Sequence, residues 1–227
     1  MLYTEENVRN NIRNREGKRV FYLKKGDQLT SGARDYLRRE RIEILSSEEA
    51  RVQRYRLLGG GFAEEKPEHM THLNGEVLVH KTHPRIAFRG MVDRLEAELM
   101  LCQLEVTRSR AELGDILALA RKILQCDVLE KPLELDKLCG MTEQELRKRS
   151  HFPQEYYGQP HFMPEFSDGK EILLLNRCRC IARQTELAAA RAFCDAEGRL
   201  VREDIVKALN RMSSMLYLLM IQAKKGK

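Results

Sequence analysis

From Pro84 onward, apolar residues recur at steps of three and four rather than two, and that periodicity restricts most of the chain to packed helices. Phe88, Val92, Leu95, Leu99 and Cys102 form one stripe, entered through a proline suited to a first helical turn, so a helix is expected over 84 to about 106. Leu113, Ile116, Leu117, Ala120, Ile123 and Leu124 mark a second within "SRAELGDILALARKILQC". Thr142 and Glu145 stand at capping-box spacing for a short third. Two long helices should close the chain at roughly 170 to 195 and 202 to 224, the last entered through Glu203 and Asp204, whose carboxylates suit a helix N-terminus. Between them "HFPQEYYGQPHFMPEF" (151 to 166) holds three prolines and is expected as a long loop.

The first residues follow another rule. "RVFYL" (19 to 23) and "IEIL" (42 to 45) read as strands flanking a helix that Thr30 or Ser31 can cap. "LLGGGFAEEKPE" (57 to 68), with three successive glycines, charge and Pro67, reads as a linker. The expected organisation is a small α/β appendage over 1 to 57, serving targeting or interaction, a linker over 58 to 70, and a helical domain over 71 to 227. The fold class is mainly α, an up-and-down helical bundle of about five helices with that appendage. A chain of 227 residues, 42% apolar, has room for one good core and one small module.

Forty Lys and Arg against 34 Asp and Glu leave a charge of +6, enough to attract an anion but too evenly mixed to form a nucleic-acid stripe. No apolar run reaches the roughly 18 residues a membrane span needs, and the N-terminus lacks a signal-peptide pattern, so a cytoplasmic location is expected. Six cysteines show no CxxC and are expected to be reduced. His69, His72, His80 and His83 make two H-x-x-H pairs, but without thiolates or a third ligand they predict no metal site.

Two helical faces carry polar chemistry. Arg179, Arg183 and Glu186 fall at i, i+4 and i+7 on one side of the first closing helix. They read either as an anion site or as a solvated face with an ordinary Arg183–Glu186 salt bridge. On the final helix Ile205, Leu209, Met212, Leu216 and Leu219 point inward, whereas Asn210, Ser213, Ser214 and Tyr217 make a polar ribbon that lines a site or faces water.

Four blocks in order, "THL" (71 to 73), "KTHPRIAFRGMVD" (81 to 93), "LLNRCRCIARQTELAA" (174 to 189) and "LNRMSSMLYLLMI" (209 to 221), resemble the ATP:cob(I)alamin adenosyltransferases, in particular their ethanolamine-utilization branch. "LTSGARDYLRRERIEI" (29 to 44) is also similar to a segment of microcompartment-associated enzymes. The resemblance implies a helical-bundle homotrimer that binds ATP, with Mg²⁺, between subunits, and in which Co(I) of the corrinoid attacks the ribose C5′ and expels triphosphate. It implies that Lys81 and Arg85 hold phosphates, Arg179 and Arg183 line the ATP site, Glu186 orients an arginine or the metal, and Asn210 binds the nucleotide. Asp93 would pair with Arg183 of a neighbouring subunit, these two being the residues assigned to catalysis, and Phe162 would cover the lower face of cobalamin.

The chain departs from the family pattern in four places, one being that it shows no clear counterpart of the N-terminal Lys/Thr/Gly phosphate loop of the propanediol branch. "GGGFAEEKPE" stands where some ethanolamine-branch members carry a Cys-rich metal motif, and Leu187 and Ser214 occupy positions that are Arg and Asp in the propanediol branch. The alternative reading is therefore a non-catalytic helical scaffold or microcompartment cargo adaptor.

Overall fold

The computed structural model describes residues 1–15, 18–46, 55–63 and 65–226. Residues 16, 17 and 47–54 of the expected appendage, residue 64 of the expected linker and residue 227 lie outside the described set. The chain forms two compact units, Met1–Glu68 with Glu76–Leu78, and His69–Gly75 with Val79–Lys227.

The first unit contains β1 (Leu2–Tyr3), α1 (Glu5–Arg9), β2 (Arg13–Arg15), β3 (Lys18–Leu23), β4 (Gln28–Leu29), α2 (Ser31–Arg39), β5 (Glu43–Ser46), β6 (Tyr55–Leu57) and β7 (Phe62–Ala63). β3 lies antiparallel to β2 and parallel to β5, with α2 as the connection that a parallel pair requires. Of the two candidate caps it is Thr30 whose side chain accepts from the Ala33 N–H, at 3.3 Å. Val8, Phe21, Leu29, Ala33, Tyr36, Leu37 and Ile42 form its core.

The glycine run is not a linker. Leu57 N–H donates to the Gly61 carbonyl, and Gly60 and Gly61 have φ of 98° and 83°, so the run closes a hairpin from β6 to β7. Glycine enters that left-handed region without steric cost, which explains why a segment that looks flexible makes a tight turn. After β8 (Met70–Asn74) comes β9 (Val77–His80), whose first residues run parallel to β6.

The second unit is the bundle: α3 (Pro84–Glu105), α4 (Arg110–Val128), β10 (Lys137–Leu138), β11 (Met141–Thr142), α5 (Glu143–His151), α6 (Pro153–Tyr157), α7 (Gly169–Ala192) and α8 (Glu203–Lys225). α4 packs on α3, α3 on α7, and α7 on α8, while α5 and α6 cover a further side of α8. The capping box at Thr142 and Glu145 is formed. His83 caps α3 by accepting the Arg85 N–H on Nδ1, and burial, then Arg85 and Arg89, hold its pKa below the ordinary imidazole value.

Two expectations need correction. Residues 151 to 166 are not all loop, because Pro153 occupies the first turn of α6, where its missing N–H costs nothing, and Gly158 at φ 68° ends it. Helix α8 is buried on more than one stripe: Met215, Leu218, Met220 and Ile221 join the expected set.

At the α3–α4 contact Asp127 is fully buried. Its carboxylate accepts from Arg85 Nε at 2.9 Å and Arg89 Nε at 2.6 Å, and Arg85 also reaches Glu130 at 3.1 Å. Removing one member of such a cluster strands buried charge at a cost of about 3–5 kcal/mol. Asp127→Ala should therefore lower the unfolding free energy by that amount, seen as a lower urea midpoint at unchanged slope; a loss below about 1 kcal/mol would mean the arginines reach water instead.

Candidate functional site

A cavity of about 840 Å³ forms a groove between α7 and α8 roofed by the 159–165 segment. Asn176, Arg179, Cys180 and Arg183 line it from α7, and Asn210, Ser213, Ser214 and Tyr217 from α8. Both sets follow steps of three, four and seven, which is the spacing that puts side chains on one helical face. His161, Phe162, Met163 and Pro164 close it above, beside Ser150 and His151 at the end of α5.

The two cations of the groove are held differently. Arg179 is half-buried, with its guanidinium carbon 5.3 Å from the Tyr217 ring centroid and Nη1 3.4 Å from Asn176 Oδ1. Cation–π contact fixes its position while leaving donors unused. Arg183 is exposed and, among the described residues, makes no hydrogen bond or ion pair. The expected Arg183–Glu186 salt bridge is absent: Glu186 accepts instead from Asn210 Nδ2 at 3.0 Å. Asn210 Oδ1 accepts from Arg211 Nη2 at 2.8 Å, so both ends of that amide are fixed. Arg183, Glu186, Leu187, Asn210 and Ser213 line a smaller adjoining cleft of about 180 Å³.

Phe162 is half-buried rather than free. Its ring lies 6.3 Å from that of Tyr217 and 5.2 Å from Lys224 Nζ, which is ion-paired with the buried Asp168. The apolar side chains that stand most clear of the protein here are Met163 and Phe166, 88% and 94% exposed. A preorganised arginine, a second without an internal partner, polar amides and an apolar roof suit a ligand with a polyanionic part and a large apolar part.

Four of the eight expected residues, Arg179, Arg183, Asn210 and Phe162, meet at this groove, and Glu186 lies in the adjoining cleft. Lys81 is exposed in the turn before α3 and does not line it. Arg85 lines a different cavity of about 560 Å³, with Phe193 and Arg202, and its guanidinium is committed to Asp127 and Glu130. Asp93 is exposed on α3 and has no hydrogen bond or ion pair among the described residues. Sequence reading missed Asn176, Arg211, His151 and His161; Asn176 was accessible to it, three residues before Arg179 on the same stripe.

Among the described residues no three His, Cys, Asp or Glu side chains cluster as metal ligands, and no helix is long and apolar enough to cross a membrane. The cysteines divide by position. Cys180 and Cys194 are exposed, Cys102, Cys126 and Cys178 are buried, and burial pushes the Cys139 thiol up to about 12. A maleimide should therefore label Cys180 and Cys194 in the native protein and spare the rest, as read by mass spectrometry. Inorganic triphosphate should slow labelling at Cys180 and not at Cys194; equal protection would contradict an anion site in the groove.

Comparison with known proteins supplies a family. The model described as cobalamin adenosyltransferase matches residues 62–223. The chain is 36% identical over 157 residues to the corrinoid adenosyltransferases EutT of Escherichia coli (strain K12) and Salmonella typhimurium (strain LT2), covering 69% of this chain. It spans 59% of the length of those relatives. Among solved structures it resembles a variant of a PduO-type ATP:corrinoid adenosyltransferase from Lactobacillus reuteri complexed with cobalamin and ATP, at 15% identity and TM-score 0.48, covering 77% of this chain and 88% of that one.

Proposed function

We propose, since this chain belongs to the cobalamin adenosyltransferase family, that it transfers the 5′-deoxyadenosyl group of ATP to cob(I)alamin, releasing triphosphate. The observation that carries the reading is the α7–α8 groove with its two unequal arginines. In the transfer the Co(I) electron pair forms the bond to C5′, while the C5′–O bond breaks and its electrons leave on the triphosphate. Arg179, already positioned on Tyr217, and Arg183, without an internal partner, meet that growing negative charge at little reorganisation cost. Asn210, fixed by Glu186 and Arg211, presents its amide to the nucleotide at the groove wall.

Mg²⁺ would enter with the nucleotide and neutralise phosphate charge, a role that needs no dedicated protein cage. Glu186, in the cleft beside Arg183, is the carboxylate that would hold it or its waters. Phe162 and Met163, which line the groove, would offer apolar surface to the corrinoid and exclude water from it.

The site in this reading is completed by a second copy in a homotrimer. Asp93 and Arg183 are opposite charges, both exposed and both without a partner inside the chain among the described residues, as an inter-subunit pair requires. The small N-terminal unit is read as a targeting module for a cytoplasmic microcompartment, in support of ethanolamine utilization. Deleting residues 1 to 57 would then alter localisation while leaving turnover.

Under strong reduction the protein should convert ATP and cob(I)alamin to adenosylcobalamin, followed by absorbance. Arg183→Ala should lower kcat by about 10²–10³, the cost typical of losing one preorganised donor to a developing anion. If the native protein binds neither ATP nor corrinoid by calorimetry, the scaffold reading replaces this one.

A further inference from the structure

We propose that Tyr217 and His161 form a positioning latch that fixes the 159–165 segment over the groove, and that this latch joins the corrinoid side of the site to its phosphate side. The inference rests on the proposed function for its kinetic meaning and on geometry for its existence. The Tyr217 hydroxyl lies 3.0 Å from His161 Nδ1 and 3.2 Å from the Phe162 backbone nitrogen. His161 Nε2 lies 3.1 Å from the His151 carbonyl at the end of α5.

These contacts assign the protons. A carbonyl only accepts, so in the neutral imidazole Nε2 carries the proton and Nδ1 keeps its lone pair. The Tyr217 hydroxyl must then donate to Nδ1, which leaves its own lone pair to accept the Phe162 N–H. The result is a directed chain from the Phe162 amide through the phenol and the imidazole to the His151 carbonyl, in which every member is used once and each bond polarises the next.

The same phenol ring seats Arg179 at 5.3 Å, and the imidazole stacks on it with centroids 5.6 Å apart and planes within 12°. Tyr217 thus touches both ligand halves of the proposed site without needing to touch either ligand. Its hydroxyl sets the backbone that carries Phe162, and its face sets the arginine. The segment it holds includes Met163, which is almost wholly exposed and offers little anchorage of its own. The latch therefore adds a hydrogen-bonded anchor to a segment otherwise held by the packing of Phe162 and by the Glu165 N–H on Asp168.

Tyr217→Phe keeps the ring, the stack and the cation–π contact and removes only the hydroxyl. In the ligand-free full chain it should speed hydrogen exchange at the Phe162 amide by about tenfold or more, since that amide loses its acceptor and the segment loses its tie to His161. In turnover it should lower kcat by about tenfold with the KM for ATP within about twofold, because Arg179 stays seated. His161→Ala should behave alike, and His161→Asn, whose amide oxygen replaces the Nδ1 acceptor, should recover most of the loss.

Unchanged exchange at Phe162 in Tyr217→Phe, or a His161→Asn protein as impaired as His161→Ala, would overturn the latch. Should the native protein make no adenosylcobalamin at all, the functional reading fails by itself, and the exchange measurement still decides whether the latch exists. His161 is exposed, so its variants remain informative if a change at Tyr217 disturbs folding.

Discussion

A helix buried around most of its circumference must find a partner for every polar group it carries, and α8 is such a helix. Apolar residues from Ile205 to Ala223 face α7 on one side and α5 and α6 on another. Asn210, Ser213, Ser214 and Tyr217 interrupt this surface along one line. An unpartnered polar group in that setting costs on the order of 1–3 kcal/mol. The structure satisfies each one locally: both serine hydroxyls return to the Asn210 carbonyl, at 2.9 and 3.2 Å, the Asn210 amide is held at both ends, and Tyr217 is held by the loop above. The groove follows from this requirement, since a line of small and polar residues between large apolar ones leaves space that the core cannot fill.

The chain's many arginines divide according to whether an acid already holds them. Arg85 and Arg89 share Asp127, and Arg202 is held by Asp204, which lies below its ordinary pKa because Arg202 and the Leu133 N–H offset the cost of its burial. Those cations stabilise the bundle and are poorly available to a ligand. Arg179 and Arg183 lie along a stretch of α7 where no carboxylate competes: the nearest acid in sequence, Glu186, is occupied by Asn210. A formal charge of +6 would not have separated these classes. The location of the acids separates them, and only the fold provides that.

The difference marks what could be read from the sequence. Helix positions, the Thr142 cap and the α7 and α8 polar faces follow local rules of period and capping, and these appear in the structure close to their expected limits. Arg85 was indistinguishable from Arg179 in sequence, because its partner Asp127 lies 42 residues away on another helix. The glycine run was misread for a related reason: composition reports freedom of φ, but whether that freedom makes a linker or a hairpin depends on the strand that pairs beside it, here β9. His161 was passed over because its neighbours Tyr217 and His151 lie 56 and 10 residues away.

The groove also explains why one chain holds an unfinished arrangement. Three sides are built from α7, α8 and the 159–165 segment, and Arg179, Asn210, Tyr217 and His161 on them are held by contacts inside the bundle, whereas Arg183 has none among the described residues. An arginine left exposed next to an exposed Leu187 gains little from internal packing, and an exposed Asp93 on α3 gains as little. Exposed ion pairs contribute almost nothing unless geometry holds them, so neither residue earns its place through stability of the isolated bundle. In the proposed assembly desolvation would change that balance, because the same charges interact far more strongly once water is excluded. Under the proposed reading the fourth wall would be supplied by a neighbouring subunit and by the substrates themselves, and Arg183, which has no internal partner among the described residues, would stand where the new negative charge appears.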